Sequence, residues 1–223
     1  MQKFATAAPI AAVLDIPAGS IRFIAADRAD TTVEVLPANA SKGRDVKAAE
    51  QIEVAYADGV LRIHAPAAKN KVLGNSGSVE VTVQLPAGSR IEAKAAAAEI
   101  RGVGRLGDVT VEGALGPVKL DEAESARLTL QAGDISVGRL NGPAQISTQK
   151  GNLHITEATH GTLTLHTAYG DITVGATRGA SASLDAGTSY GRIHNTLNNT
   201  DGPTPHLTIH ATTAYGNITA RSL

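Results

Sequence analysis

From about residue 100 onward the chain repeats one short pattern of apolar and polar positions. A glycine, a polar residue and an aliphatic residue open an alternating run six times, at Gly107-Asp108-Val109, Gly133-Asp134-Ile135, Gly151-Asn152-Leu153, Gly170-Asp171-Ile172, Gly191-Arg192-Ile193 and Gly216-Asn217-Ile218. The intervals are 26, 18, 19, 21 and 25 residues. Between these runs stand sister segments, Leu128-Thr129-Leu130, Leu163-Thr164-Leu165 and Leu207-Thr208-Ile209, which alternate in the same way. A period of two predicts β-strands with one buried face, two strands to each repeat. The glycines Gly107, Gly133, Gly151, Gly170, Gly191 and Gly216 are read as turn residues, because a turn into a strand often needs a positive φ.

Units of this kind cannot bury their apolar face alone, and stacking on neighbours does it for them. The pattern therefore predicts an all-β fold, a β-solenoid with coils of about 20 residues spaced at ~4.8 Å around a ladder of Val, Ile and Leu. A sandwich of hairpins is the competing arrangement, but hairpin turns give no cause for a signature that marks only every second strand. The first 90 residues are less regular. Ile21–Ile24, Thr32–Leu36, Ile52–Tyr56, Val60–His64 and Val79–Leu85 all alternate, and two turns, Ile16-Pro17-Ala18-Gly19-Ser20 and Leu85-Pro86-Ala87-Gly88-Ser89, are nearly identical. Residues 1–90 are expected to cap the solenoid formed by residues 91–223, the two making one continuous domain. Loops are expected over Pro37–Glu50, Pro66–Gly77 and Asn195–Pro205. Lys94–Ile100, rich in alanine, reads as a poor first coil.

The two Pro-Ala-Gly turns, the Gly-Asp-Ile-Thr-Val coils and the closing Tyr190-Gly191-Arg192-Ile193-His194-Asn195 resemble the actinobacterial β-strand-repeat proteins classed as "putative adhesins" of unknown function. The resemblance spans essentially the whole chain. It implies a right-handed parallel β-helix-like fold and no established catalysis, and it transfers no functional residues; with the expected irregular β-rich N-terminal cap this completes the fold expected here.

Composition narrows the chemistry. Only six of 223 residues are aromatic, which suits a thin aliphatic core. With no cysteine, disulfides, thiolate nucleophiles and Cys-based metal sites are excluded. Lys+Arg is 20 against 21 for Asp+Glu, so no basic stripe offers itself to nucleic acid. No apolar run is long enough for a membrane-spanning helix. Residues 1–14 have a faint signal-peptide look, but Asp15 arrives too soon and the stretch is Ala-rich. The expected location is cytoplasmic.

Each candidate site has a plainer reading. Gly102-Val103-Gly104-Arg105-Leu106-Gly107 spells a dinucleotide fingerprint, yet a strand rather than a helix follows it. Six of seven histidines, His154, His160, His166, His194, His206 and His210, lie after residue 150. His154 and His194 each stand three residues after a repeat glycine with Thr173 between them. They are thus expected two rungs, or about 10 Å, apart, and His166 and His210 similarly, beyond one metal ion's reach. Asp134, Asn152 and Asp171 form a possible oxygen ladder for calcium, but the calcium nonapeptide is absent and turn capping suffices. Thr129, Thr164 and Thr208 are read as equivalent strand formers. No nucleophile elbow is present, and after residue 150 four acidic and three basic residues make a poor charged cleft.

Tyr169, Tyr190 and Tyr215 each directly precede a repeat glycine. Stacked on successive coils they make an aromatic stripe, the best candidate for a binding surface. The expected function is a non-catalytic scaffold or interaction module with no cofactor and no metal, binding an unknown protein partner. A carbohydrate-binding or carbohydrate-cleaving β-helix is the alternative. The last strand, Ile218-Thr219-Ala220, has no evident cap, so a covering loop or a homo-oligomer is expected at that end.

Overall fold

The computed structural model describes residues 1–66, 77–198 and 206–223. Among these, strands β1 (Gln2–Ala5), β2 (Ala11–Ala26) and β3 (Asp30–Pro37) precede a helix α1 (Gly43–Gln51), and β4 (Glu53–Ala57), β5 (Val60–His64) and β6 (Val79–Pro86) follow it. The repeats are β7 (Arg90–Leu115), β8 (Val118–Ala132), β9 (Ile135–Leu140), β10 (Ala144–Lys150), β11 (Leu153–Ala158), β12 (Gly161–Tyr169), β13 (Ile172–Ala176), β14 (Ala182–Tyr190), β15 (Ile193–Thr196), β16 (Leu207–Tyr215) and β17 (Ile218–Ser222). All strands join one hydrogen-bonded network, as expected for a solenoid-like all-β fold.

Two ladders of parallel strands run side by side. The first passes from β8 (residues 126–132) through β10 and β12 to β16 and β14. The second passes from β8 (residues 118–123) through β9, β11 and β13 to β17 and β15. Alternate residues of each strand point inward, giving a core of Val, Ile, Leu and Ala in which Phe23 is the one buried aromatic among the described residues. The missing aromatics are thus explained by the narrow interior.

The stacking order departs from chain order. The last coil, β16–β17, is inserted between β12–β13 and β14–β15, and among the described residues the outer coil 182–196 pairs with nothing but this insert. The expectation that Ile218–Ala220 ends the stack is therefore corrected: Ile218 and Ala220 are each 1 % exposed. Side-chain chemistry explains the order. Inward positions of the inserted coil hold Leu207, Ile209, Ala211, Ile218 and Ala220, all buried. The outer coil is poorer, with Ala182, Leu184 and Ala186, and with Asn195 at the position that Ala220, Val174, Ile155 and Val137 occupy below it. Ile193, in line with the buried Ile218, Ile172, Leu153 and Ile135 among others, is 47 % exposed, and no described rung covers it. It forfeits about half of the ~2 kcal/mol that full burial of an isoleucine contributes. A coil with fewer apolar groups loses least by standing at the open end.

The N-terminal region is more regular than its sequence suggests. β2 is already a parallel rung, pairing with β7 from Ala11 to Ile24 and with β5 and β6 on its other side. Antiparallel strands close that end: β4 against β5, β3 against β6, and β1 against β3. Lys94–Ile100 lies within β7 and is a full rung against β2. Of the expected loops, Pro37–Glu50 instead contains α1. Its one buried residue is Asp45, whose Oδ1 accepts the Ser78 N–H at 3.0 Å. The cores of the other two expected loops, 67–76 and 199–205, lie outside the described residues.

A candidate binding surface at one corner of the coils

The corner between the two ladders is built from the repeat signature. Five of the six glycines form one column in the order Gly133, Gly151, Gly170, Gly216, Gly191. Gly151 has φ +148°, and a Cβ there would lie 2.1 Å from the carbonyl oxygen of Gly133; Gly170 meets Gly151 in the same way. Glycine is required because adjacent rungs bring backbone against the bare Cα. Gly107 is the exception and is a correction to the expected set: it stands against the carbonyl of Gly88 at the other corner. Gly116 takes the first place in the column, where a Cβ would meet the Ala98 carbonyl and where its own carbonyl faces Gly133. It is followed by proline rather than a polar residue, so the signature does not reveal it.

The polar residue after each glycine links the rungs. Oδ1 of Asp134 accepts the Asn152 N–H at 2.7 Å, and Oδ1 of Asn152 accepts that of Asp171 at 2.9 Å. Oδ1 of Asp171 accepts the Asn217 N–H at 2.6 Å, and Oδ1 of Asn217 that of Arg192 at 3.0 Å. One side-chain oxygen of each member of the expected oxygen ladder, Asp134, Asn152 and Asp171, is thus engaged with a backbone donor, which is the turn-capping role. Carboxylate and carboxamide alternate along it, which keeps like charges two rungs apart.

A threonine column, missed in the sequence, lies on the inner side. The hydroxyls of Thr167, Thr213 and Thr188 each donate at 3.0 Å to the carbonyls of Gly151, Gly170 and Gly216. The buried hydroxyls of Thr167 and Thr213 satisfy glycine carbonyls that the close approach shields from water, and Thr188 makes the same bond half-buried on the outer coil. The readable signal is Thr-x-x-Gly, present at Thr148, Thr167, Thr188 and Thr213.

The three tyrosines do come together. Tyr169 and Tyr215 stack with ring centroids 5.0 Å apart and planes within 4°, and Tyr215 and Tyr190 at 4.8 Å and 6°. Because the last coil is inserted, Tyr215 is the middle ring. The rings remain 56 %, 47 % and 67 % exposed in the order Tyr169, Tyr215, Tyr190. Each ring covers a face of its neighbour, so the stack offers solvent its edges, with the outer face of Tyr190 continuing the column.

The insertion also moves the histidines from their expected spacing. Thr173 and Thr219 both stand between His154 and His194, which are three rungs or about 14 Å apart. His166 and His210 are on adjacent rungs rather than separated by one: His210 lies opposite Thr164, and His166 opposite Thr212, to whose hydroxyl its Nδ1 is hydrogen-bonded at 2.9 Å. His210 Nδ1 is 3.3 Å from Asp185 Oδ2 on the outer rung. His160 contacts the Thr159 hydroxyl at 3.0 Å, and His206 is exposed. Thr129, Thr164 and Thr208 are not equivalent either: Thr164 shares its column with Arg127, Gln145 and His210. The glycine-rich stretch Gly102–Gly107 is a bulge inside β7, with Gly104 at φ +81° against the Ala25 carbonyl.

Two shallow grooves mark the surface. One of about 490 Å³ crosses β7, β8, β10 and β12 and is lined by Thr110, Arg127, Gln145 and Thr164; the other, of about 610 Å³, lies by Asp58, Arg90, Asp108 and Glu124. Displaced pKa values occur away from both. The Arg28 guanidinium, helped by Lys3, holds the Asp30 carboxyl down at about 2, and Glu112 raises Lys94. No described helix is long and apolar enough to cross a membrane.

The Toastrack DUF4097 family matches residues 103–220, just over half of the chain. No curated protein matches. Among solved structures, a "putative adhesin" from Bacteroides fragilis is 14 % identical, with a TM-score of 0.50 over 98 % of this chain and 95 % of that one. A "putative cell adhesion protein" from Clostridium sporogenes is 13 % identical, with a TM-score of 0.41 over 100 % and 98 %.

Proposed function

Because the chain belongs to the Toastrack DUF4097 family, we propose that it is a non-catalytic, adhesin-like β-solenoid module that binds a protein partner along its tyrosine corner. The observation that carries this reading is the stack Tyr169–Tyr215–Tyr190: three rings pre-ordered by the fold and still half exposed. Rigid aromatics contribute contact area at low entropic cost, which suits a protein interface. The name of one similar structure, a "putative adhesin" from Bacteroides fragilis, is in keeping with such a role. A carbohydrate ligand has less support, since sugars stack on ring faces and here the faces largely cover one another.

The finer points of this reading are proposals too. The coils wind right-handed, as parallel crossovers do in nearly all cases. Residues 1–90 act as the cap of a single continuous domain, and the branch of the family is the actinobacterial one that the two Pro-Ala-Gly turns resemble. The location proposed is cytoplasmic. The near-balance of charge favours a partner other than nucleic acid, and no cofactor or metal is required.

The test is a comparative pull-down from native-host lysate with the wild-type chain, with Tyr169→Ser/Tyr190→Ser, and with Glu34→Lys as a distant control. A protein retained by wild type and by the control but lost with the tyrosine variant supports the reading. Identical capture by all three overturns it. Cell fractionation tests the location separately, recovery outside the membrane counting against it.

A further inference from the structure

The slot between the coil 161–176 and the coil 182–196 is a strand-acceptor site. Everything that recognises its occupant lies within the inserted coil itself. The Tyr215 ring stacks on both sides, and Asn217 both donates to Asp171 and accepts from Arg192. Thr213 satisfies the Gly170 carbonyl, and Leu207, Ile209, Ala211, Ile218 and Ala220 complete the core. None of these contacts depends on which chain supplies the coil.

Chain order adds a second observation. The coil that fills the slot comes last in the sequence, yet the outer coil reached before it has no other paired neighbour among the described residues. Until residues 207–222 arrive, the coil 182–196 has no described rung to pair with, and the two surfaces that the late coil joins are of matching design, Thr167-Ala168-Tyr169-Gly170 and Thr188-Ser189-Tyr190-Gly191. An acceptor that waits for a late strand takes the first one with the right pattern, and a net charge of −1 puts little repulsion between copies. We infer that the slot also accepts the C-terminal coil of a second copy of this chain, two chains exchanging residues 207–222 reciprocally. Exchange of an identical element keeps every contact, so it is an inexpensive route to a dimer. In the exchanged form Tyr215, the middle ring of the stack, comes from the other copy.

The chain has no cysteine, so introduced thiols report cleanly. Thr164 and His210 are exposed and opposite each other across β12 and β16. Adjacent rungs at ~4.8 Å lie within disulfide range. Full-length Thr164→Cys and size-tagged His210→Cys chains are unfolded and refolded together, then oxidised in glutathione buffer. Neither can make this bond within itself, so the expected covalent heterodimer requires one chain's coil in the other's slot. Gln145→Cys replaces Thr164→Cys in the control, since Gln145 lies one rung farther from His210. Monomer only, or heterodimer in equal amounts in both mixtures, overturns the inference. Should either variant fail to regain the β-sheet circular dichroism of wild type, Thr162→Cys with Thr208→Cys, the neighbouring opposed pair, decides by the same readout.

Discussion

The side chain of Asn217 accepts the backbone N–H of Arg192 at 3.0 Å, and there the ladder of side-chain oxygens stops. Each earlier member, Asp134, Asn152 and Asp171, accepts the N–H of the next rung. Arginine has no acceptor to offer, so the coil that carries it is suited to be the last in the stack. Asn195 and the half-exposed Ile193 on the same coil agree with that place.

Alternation in this ladder predicts a pH-dependent variant. Asn152→Asp would put three carboxylates on consecutive rungs, between Asp134 and Asp171. Repulsion raises the folded-state pKa of the new group. The penalty is therefore absent below the unfolded value of about 4 and fully developed above the raised folded value. The melting temperature is expected to fall at pH 7 and to approach that of wild type in acid, as read by circular dichroism melts at both pH values. Equal losses at both would mean that charge is not the cause.

Gly170→Ala should be among the most damaging single substitutions. It combines φ +153° with a Cβ 2.1 Å from the Gly151 carbonyl oxygen, backbone that cannot swing away. A loss of about 3 kcal/mol is expected from strain and displacement of the neighbouring rung. Gly179→Ala, which shares a positive φ of +78° but meets nothing within 4 Å, isolates the backbone contribution. Denaturant unfolding of both should show the larger loss at Gly170.

The threonine column predicts a gradient. Thr213→Val removes a hydroxyl that satisfies the Gly170 carbonyl inside the stack, and should cost about 1–2 kcal/mol. Thr188→Val makes the same change on the outer coil, where water can replace the hydroxyl, and should cost clearly less. Equal effects in chemical denaturation would contradict the burial argument.

Asp30 ties β1 to the body of the fold through Lys3 at 2.9 Å and Arg28 at 2.8 Å, hydrogen bonds that hold its pKa at about 2 against an ordinary 3.8. A depressed carboxylate contributes its stabilisation fully above the unfolded value, and loses it as pH falls through the folded one. The β1–β3 pairing should thus persist at pH 4 and weaken toward pH 2. A carboxyl titration by NMR should move back toward 3.8 in Arg28→Ala, and an unchanged midpoint would remove Arg28 as the cause.

The sequence by itself determined the rungs. Period-two alternation marked nearly every strand, because a strand buried on one face has no other way to place its side chains. The glycine and its polar follower marked the corner, because backbone packs on backbone there. It gave little sign of α1, a short helix with sparse apolar spacing held through Asp45 and Ser78. Nor did it mark Gly116, whose follower is proline, or the threonines, whose hydroxyls matter only once a carbonyl from another rung lies beside them. Tertiary structure alone decided the order of the coils, and with it the sequence of rings along the tyrosine stack and the spacing of the histidines. The reason is physical: each repeat carries the same edges and corner groups, so local pattern lets any coil sit on any other. Only the assembled stack reveals which one loses least with its outer side uncovered.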